Sequence, residues 1–205
     1  MRRSRQVAIP QRNDAGVIQR DSDASWKAGA AHPDIVTVGD PALRRRVEPV
    51  NDIAAASAKL DGMVALLREL KGAGLAAPQV GWPAAAVVVE VRKTAVFPDR
   101  PESPLYVMVN PSIESSSDEI EEDWEGCFSV PGLMGLVPRH DSVQVTYLDQ
   151  NGERHEQYFT GYVARVVQHE LDHLAGTIFL DRMTSMASIT TVANWLRFHQ
   201  QASPE

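Results

Sequence analysis

Hydrophobic and polar positions along the chain change period several times. From Met1 to about Asp34 the residues are polar, mixed in charge and without sustained periodicity, the pattern of a flexible extension rather than a packed element. The short apolar run Ile35 to Val38, closed by Gly39-Asp40-Pro41, predicts a short strand ending in a turn. After Asn51, a good helix N-cap, Leu60, Met63, Val64 and Leu67 recur at helical spacing. They predict an amphipathic helix that stops near Gly72, where glycine can take the left-handed terminal conformation and Lys71 suits the negative end of the dipole. The β-branched run Ala84 to Val91 predicts a buried strand, and Tyr106 to Asn110 another. Ser142 to Leu148 and Arg154 to Phe159 flank Asp149-Gln150-Asn151-Gly152, so a hairpin is expected, with Asn-Gly supplying the positive-φ positions of a tight turn. From Gly161, Tyr162, Val166, His169 and His173 share a helical face, and Gly176 supplies the stop. A last helix is expected over roughly Ser188 to Gln201, with Val192, Trp195, Leu196 and His199 at helical spacing.

These elements predict an α+β fold: mixed, mostly antiparallel short strands around a central helix, with a C-terminal helix. Residues 1–34 are expected to be an extension and 35–205 a single catalytic domain. At 205 residues, 43% hydrophobic and 23% charged, the composition is that of a globular domain, and no apolar run is long enough to span a bilayer. A formal charge of −7 argues against a nonspecific nucleic-acid binder. The early arginines Arg2, Arg3, Arg5 and Arg12 faintly suggest organellar targeting, but Asp14, Asp21 and Asp23 spoil that acid-poor pattern and there is no apolar core for secretion, so the targeting signal is weak. One cysteine cannot form an intramolecular disulfide.

The chemistry concentrates on the central helix. In His169-Glu170-Leu171-Asp172-His173 two imidazoles four residues apart project from one face and can grip one ion, while Glu170 can accept a proton from water at an open coordination position. Two histidines on a surface helix by chance are the bland alternative. A catalytic ion of this kind needs a third protein ligand. Asp181 and His199 are distant candidates downstream; Cys127, within Glu125-Gly126-Cys127-Phe128-Ser129, is the better one, although a lone cysteine is more often a small buried hydrophobe.

Those two segments, together with Gly72-Ala73-Gly74-Leu75-Ala76-Ala77-Pro78-Gln79-Val80-Gly81, resemble the three motifs of peptide deformylase, in that family's order, and the resemblance runs from about Ile35 to Met183. It implies an enzyme that hydrolyses the N-formyl group from the initiator methionine of newly made polypeptides and releases formate. It implies one divalent ion, Fe2+ natively with Zn2+, Ni2+ or Co2+ able to replace it, held by Cys127, His169 and His173. Activated water would attack the formyl carbon, with Glu170 as general base and then acid, while the Gln79 amide and the Phe128 backbone N–H stabilise the oxyanion. Glu125 and Arg139 resemble an ion pair that steadies the cysteine segment. Gly74 and Gly126 are candidates to let an extended substrate backbone approach, or simply to serve turns, and Tyr162 and Val166, with Ala73, are candidate walls of a methionine pocket or plain core. Asp172 could orient an imidazole, a solvated helix face being the commoner fate. Formyl-Met nascent peptides are the implied partners, with the ribosome a candidate docking partner and no specific nucleic acid or membrane. Two other readings stay open: a zinc endopeptidase on the same helix motif, and a catalytically inactive, ribosome-associated binding protein.

Overall fold

A computed structural model describes residues 31–95 and 97–200, so most of the expected extension lies outside the described residues. The elements in chain order are α1 (Ile53–Glu69), β1 (Gly74–Ala76), β2 (Ala86–Val89), β3 (Tyr106–Ser116), β4 (Ile120–Cys127), β5 (Val130–His140), β6 (Ser142–Leu148), β7 (Arg154–Thr160), α2 (Gly161–Leu174), the one-turn α3 (Phe179–Arg182), β8 (Thr190–Thr191) and α4 (Val192–Phe198). A five-stranded sheet has the order β1-β2-β3-β6-β7 and a three-stranded sheet the order β4-β5-β8. Every ladder is antiparallel, with one isolated parallel bridge between Glu48 and Ala84. This is the expected α+β class. Among the described residues, no helix is long and apolar enough to cross a membrane.

β2 is buried on both faces, which explains its uninterrupted β-branched run. Ala86 and Val88 face α1, where Leu60, Met63 and Leu67 pack. Val87 and Val89 face the other way, joining Met108, Val143 and Val145 against Ala164 and Val167 of α2. α2 is therefore clamped against a sheet and buried along most of its length.

Several expectations need correction. No strand forms over Ile35 to Val38, because its N–H groups go to two different segments: Val36 donates to the Gln79 carbonyl at 2.8 Å and Val38 to the Ser129 carbonyl at 2.7 Å. Asp52, not Asn51, caps α1, its carboxylate accepting from the Ala55 N–H at 2.9 Å. At the other end Lys71 takes the left-handed conformation (φ 54°). Gly72 is needed for space, since a Cβ there would lie 2.6 Å from the Phe128 ring. β3 runs on past Asn110 to Ser116 because a bulge absorbs the interruption. Asn110 takes φ 52° and its side chain exchanges hydrogen bonds with the Val50 backbone, so Pro111 falls where no ladder bond is required. The β6–β7 hairpin forms as predicted, but only Gly152 of its turn has positive φ, and the Asp149 carboxylate shapes the loop by accepting from the Asn151 and Glu153 N–H groups. The last helix is shorter than expected, Val192–Phe198, because a 3-10 turn at Met186–Ser188 and the strand pairing of β8 with β5 precede it.

Candidate metal centre

The β4–β5 hairpin carries Cys127 at the end of β4 and swings it toward α2. There its sulfur lies 3.3 Å from His173 Nε2. Cys127, His169 and His173 are all buried, and a donor atom from each falls within 4.8 Å of the others. A tetrahedral ion with bonds of about 2.0–2.3 Å sets its donors roughly 3.5 Å apart, so the three fit one ion and leave a fourth position open. The structure thus brings together residues separated by more than forty positions in the chain. Neither Asp181 nor His199 joins them; Asp181 pairs with Arg44, and His199 lies against Trp124 at a tilt, with ring centroids 4.7 Å apart.

One carboxylate orients the first imidazole. Glu125 Oε2 accepts from His169 Nδ1 at 2.8 Å, which leaves Nε2 able to serve as a ligand. The same carboxylate takes a two-point contact from Arg139 (2.9 and 3.0 Å) and a third from Arg165 Nη1 at 3.0 Å. Burial alone would push the Glu125 carboxyl up, but hydrogen bonds from His169 and Arg139 hold it down at about 2. Burial would likewise lower His169, yet the adjoining Cys127 and Glu125 raise it well above the ordinary histidine range. His173, deep and beside His169, is lowered. Arg139 also donates to Asp172 at 2.5 Å, and Arg182 grips the same carboxylate at 2.6 Å. Asp172 is therefore no solvated face: it is 7% exposed, and its hydrogen-bond partners are guanidinium groups rather than an imidazole.

Glu170 is buried, and its Oε2 has no hydrogen-bond partner among the described residues. Burial pushes its carboxyl up to about 7, against the opposing pull of His169. Gly74 makes room for it: a Cβ on Gly74 would lie 2.5 Å from Glu170 Oε1. Gly74 sits in β1 rather than in a turn. Gly126 is different, since a Cβ there meets only ordinary contacts with Met134 at 3.5 Å and Leu133 at 3.6 Å. Gln79, on the 3-10 turn Ala77–Val80, is held by the Ala76 N–H at 2.7 Å through its oxygen. Its nitrogen donates to Cys127 Sγ at 3.4 Å and to Ser129 Oγ at 3.3 Å. The turn residue Phe128 follows the cysteine, and its backbone N–H has no acceptor among the described residues.

A cavity of about 250 Å³ opens beside these groups. Gly74, Gly126, Phe128, Tyr162, Val166 and Glu170 border it, and Ala73 also lies on its wall. Of the residues singled out in the motifs, Ala73, Gly74, Gln79, Glu125, Gly126, Cys127, Phe128, Tyr162, Val166, His169 and Glu170 border this one space, whereas His173, Arg139 and Asp172 do not line it. Sequence reasoning missed Ser129, Arg165 and Arg182. Arg165 had a signal: a cation within the apolar stretch Ala164-Arg165-Val166-Val167, four residues before His169, has to find buried acceptors.

The model of the polypeptide deformylase family matches residues 33–188. The chain belongs to this family. Among its relatives, peptide deformylase 2 of Nostoc sp. is 40% identical over 159 residues, covering 77% of this chain and 89% of that protein. Peptide deformylase 1 of Bordetella pertussis is 42% identical over 154 residues, covering 74% and 88%. The Met-Ala-Ser-bound crystal structure of a class I type b peptide deformylase from Acinetobacter baumannii superposes with a TM-score of 0.69 at 38% identity, covering 76% of this chain and 99% of that one. An actinonin complex of the deformylase from Synechococcus elongatus gives 0.69 at 34% identity, covering 76% and 80%. Deformylases are metal-dependent hydrolases, and the Cys127, His169 and His173 cluster is where this chain offers a metal its donors.

Proposed function

We propose that the chain removes the formyl group from formyl-methionine at the start of new polypeptides, using one divalent ion held by Cys127, His169 and His173. The observation that carries this reading is the convergence of a thiol and two imidazoles with the buried carboxylate of Glu170 on one small cavity, in a chain of this family. The donor set fits the group: a soft sulfur with two imidazoles accepts Fe2+, expected natively, and also Zn2+, Ni2+ or Co2+. A bound ion supplies Lewis acidity, polarising the formyl oxygen and easing deprotonation of the attacking water.

The chain's own residues do the rest. Glu170 takes the proton from the attacking water at its unpartnered carboxylate oxygen and later returns it to the departing amine nitrogen. Phe128 offers its free backbone N–H to the oxyanion, a contribution of about 3 kcal/mol if well aimed. Gln79 can add a second donor by turning one N–H away from Ser129 or Cys127 as the oxyanion forms. Glu125, clamped by Arg139 and Arg165, holds the imidazole of His169 in one orientation throughout. Tyr162 and Val166 provide apolar wall for a methionine side chain, and Gly126 leaves room for substrate backbone.

Residues 35–205 are read as one catalytic unit, acting in the bacterial cytoplasm where formylated chains are made, a reading supported by the bacterial relatives. The endopeptidase alternative has no use for Gln79 or Cys127 at the site. An anaerobic assay of formyl-Met-Ala-Ser, following formate and backbone cleavage in the same reaction, tests the proposal. Formate with an intact backbone is expected; backbone cleavage, or neither product, overturns it.

A further inference from the structure

The cavity has a second polar region that the reaction does not use. Arg100, in the loop between β2 and β3, lies with its guanidinium carbon 3.6 Å from the Phe97 ring centroid and 5.2 Å from that of Tyr162. It borders the cavity and is only partly buried, yet its Nε is shut off from solvent without an acceptor. On the same Phe97 ring, at 5.6 Å between centroids, sits the indole of Trp195 from α4. Trp195 is 8% exposed, also borders the cavity, and its Nε1 has no acceptor either. No carboxylate pairs with Arg100 among the described residues, and burial lowers its pKa. Asp123 borders the cavity as well, but its carboxylate accepts from the Trp124 N–H at 2.7 Å.

An unsatisfied buried donor costs about 1–3 kcal/mol, and a pair on one aromatic platform is uncommon in a native protein. The aromatic faces hold the guanidinium in place without neutralising it. Acceptors that arrive with a ligand account for both donors. A neutral carbonyl would satisfy a hydrogen bond, but only an anion also meets the unpaired positive charge.

We propose that Arg100 and Trp195 form a subsite for a carboxylate side chain at the first or second position after the formylated residue, so that the enzyme favours acidic nascent N-termini. The proposal rests on the deformylase reading above and adds a substrate preference to it. The β2–β3 loop and the C-terminal helix supply the two donors, so the preference belongs to elements outside the three motifs.

The test compares four C-terminally amidated peptides: formyl-Met-Ala-Glu against formyl-Met-Ala-Gln, and formyl-Met-Glu-Ser against formyl-Met-Gln-Ser. The amide removes the terminal carboxylate, and each Glu/Gln pair differs in charge but hardly in shape. At low salt the wild-type enzyme is expected to favour Glu by roughly tenfold in kcat/KM in at least one pair, mostly through KM, with the ratio shrinking as salt rises. In Arg100→Gln the ratio should fall to within twofold of one, while Arg100→Lys should keep part of it. A wild-type ratio within twofold of one in both pairs overturns the proposal, as does a ratio unchanged in Arg100→Gln. Calorimetric binding of the same peptides without the formyl group gives the ratio independently of turnover. A wild-type enzyme that releases no formate but binds the Glu peptides tenfold better would sink the deformylase reading and keep the subsite. Arg100→Lys carries the comparison if Arg100→Gln fails to fold.

Discussion

Substituting Gly74 by alanine places one methyl group where the Glu170 carboxylate now sits. The added Cβ would lie 2.5 Å from Oε1, 2.7 Å from Cγ and 2.8 Å from Cδ of Glu170, whereas ordinary contact begins near 3.4 Å. The carboxylate must therefore retreat by close to 1 Å. It cannot swing into solvent, because Glu170 is 4% exposed and α2 is clamped against the larger sheet. A misplacement of this size in a proton-transfer group lowers turnover by about 10²-fold, or roughly 2.7 kcal/mol in the barrier. Because Gly74 takes no left-handed backbone conformation, the variant should fold and should bind its metal normally. The assay is formate release from formyl-Met-Ala-Ser with metal content measured on the same sample. Gly126→Ala is the control, since its Cβ makes only ordinary contacts within the protein and any loss should fall on KM. Near-normal kcat in Gly74→Ala with the metal in place would show that the added methyl group leaves the Glu170 carboxylate able to work.

Glu125→Gln removes the charge that faces Arg139, Arg165 and His169, and should cost about 3 kcal/mol in denaturant unfolding and 10- to 100-fold in metal affinity. Asp172→Asn leaves Arg139 and Arg182 without their shared counter-charge and should lower stability by a similar amount, about 3 kcal/mol, with a smaller effect on metal affinity because Asp172 touches neither imidazole; titrating metal into both variants separates the two. Stripping the ion with a chelator should lower the melting temperature and reloading should restore it, since a ligand bound only by the folded state stabilises it; an unchanged melting temperature would count against a bound ion.

Periodic stretches of sequence were the legible ones. α1 and the β6–β7 hairpin bury one side of a regular pattern, and α2, though buried along most of its length, keeps its helical spacing between a glycine at each end, so all three are printed in the residues. β4 and β5 were not legible for a physical reason. β4 opens with Ile120-Glu121-Glu122-Asp123, all exposed, and β5 carries Pro131, Gly132, Gly135 and Pro138, residues that usually interrupt strands. Pairing between the two strands holds them, rather than burial of either one alone. The ligand spacing on α2 could be read locally, because four residues along a helix return to one face. The support behind it could not: Glu125 comes from β4, Arg139 from β5, and Arg165 and Asp172 from α2, and only folding brings them into one buried network. Gly74 shows the limit most plainly, since its neighbour Glu170 lies almost a hundred residues away and nothing near Gly74 in sequence announces it.

The most direct test of the central claim is Glu170→Ala, assayed anaerobically for bound metal and for formate release in one preparation. The account predicts about one ion per chain, as in the wild type, and almost no formate, because Cys127, His169 and His173 remain while the proton carrier is gone. Wild-type formate release by this variant would contradict the proton role of Glu170, and loss of the ion would contradict the ligand set.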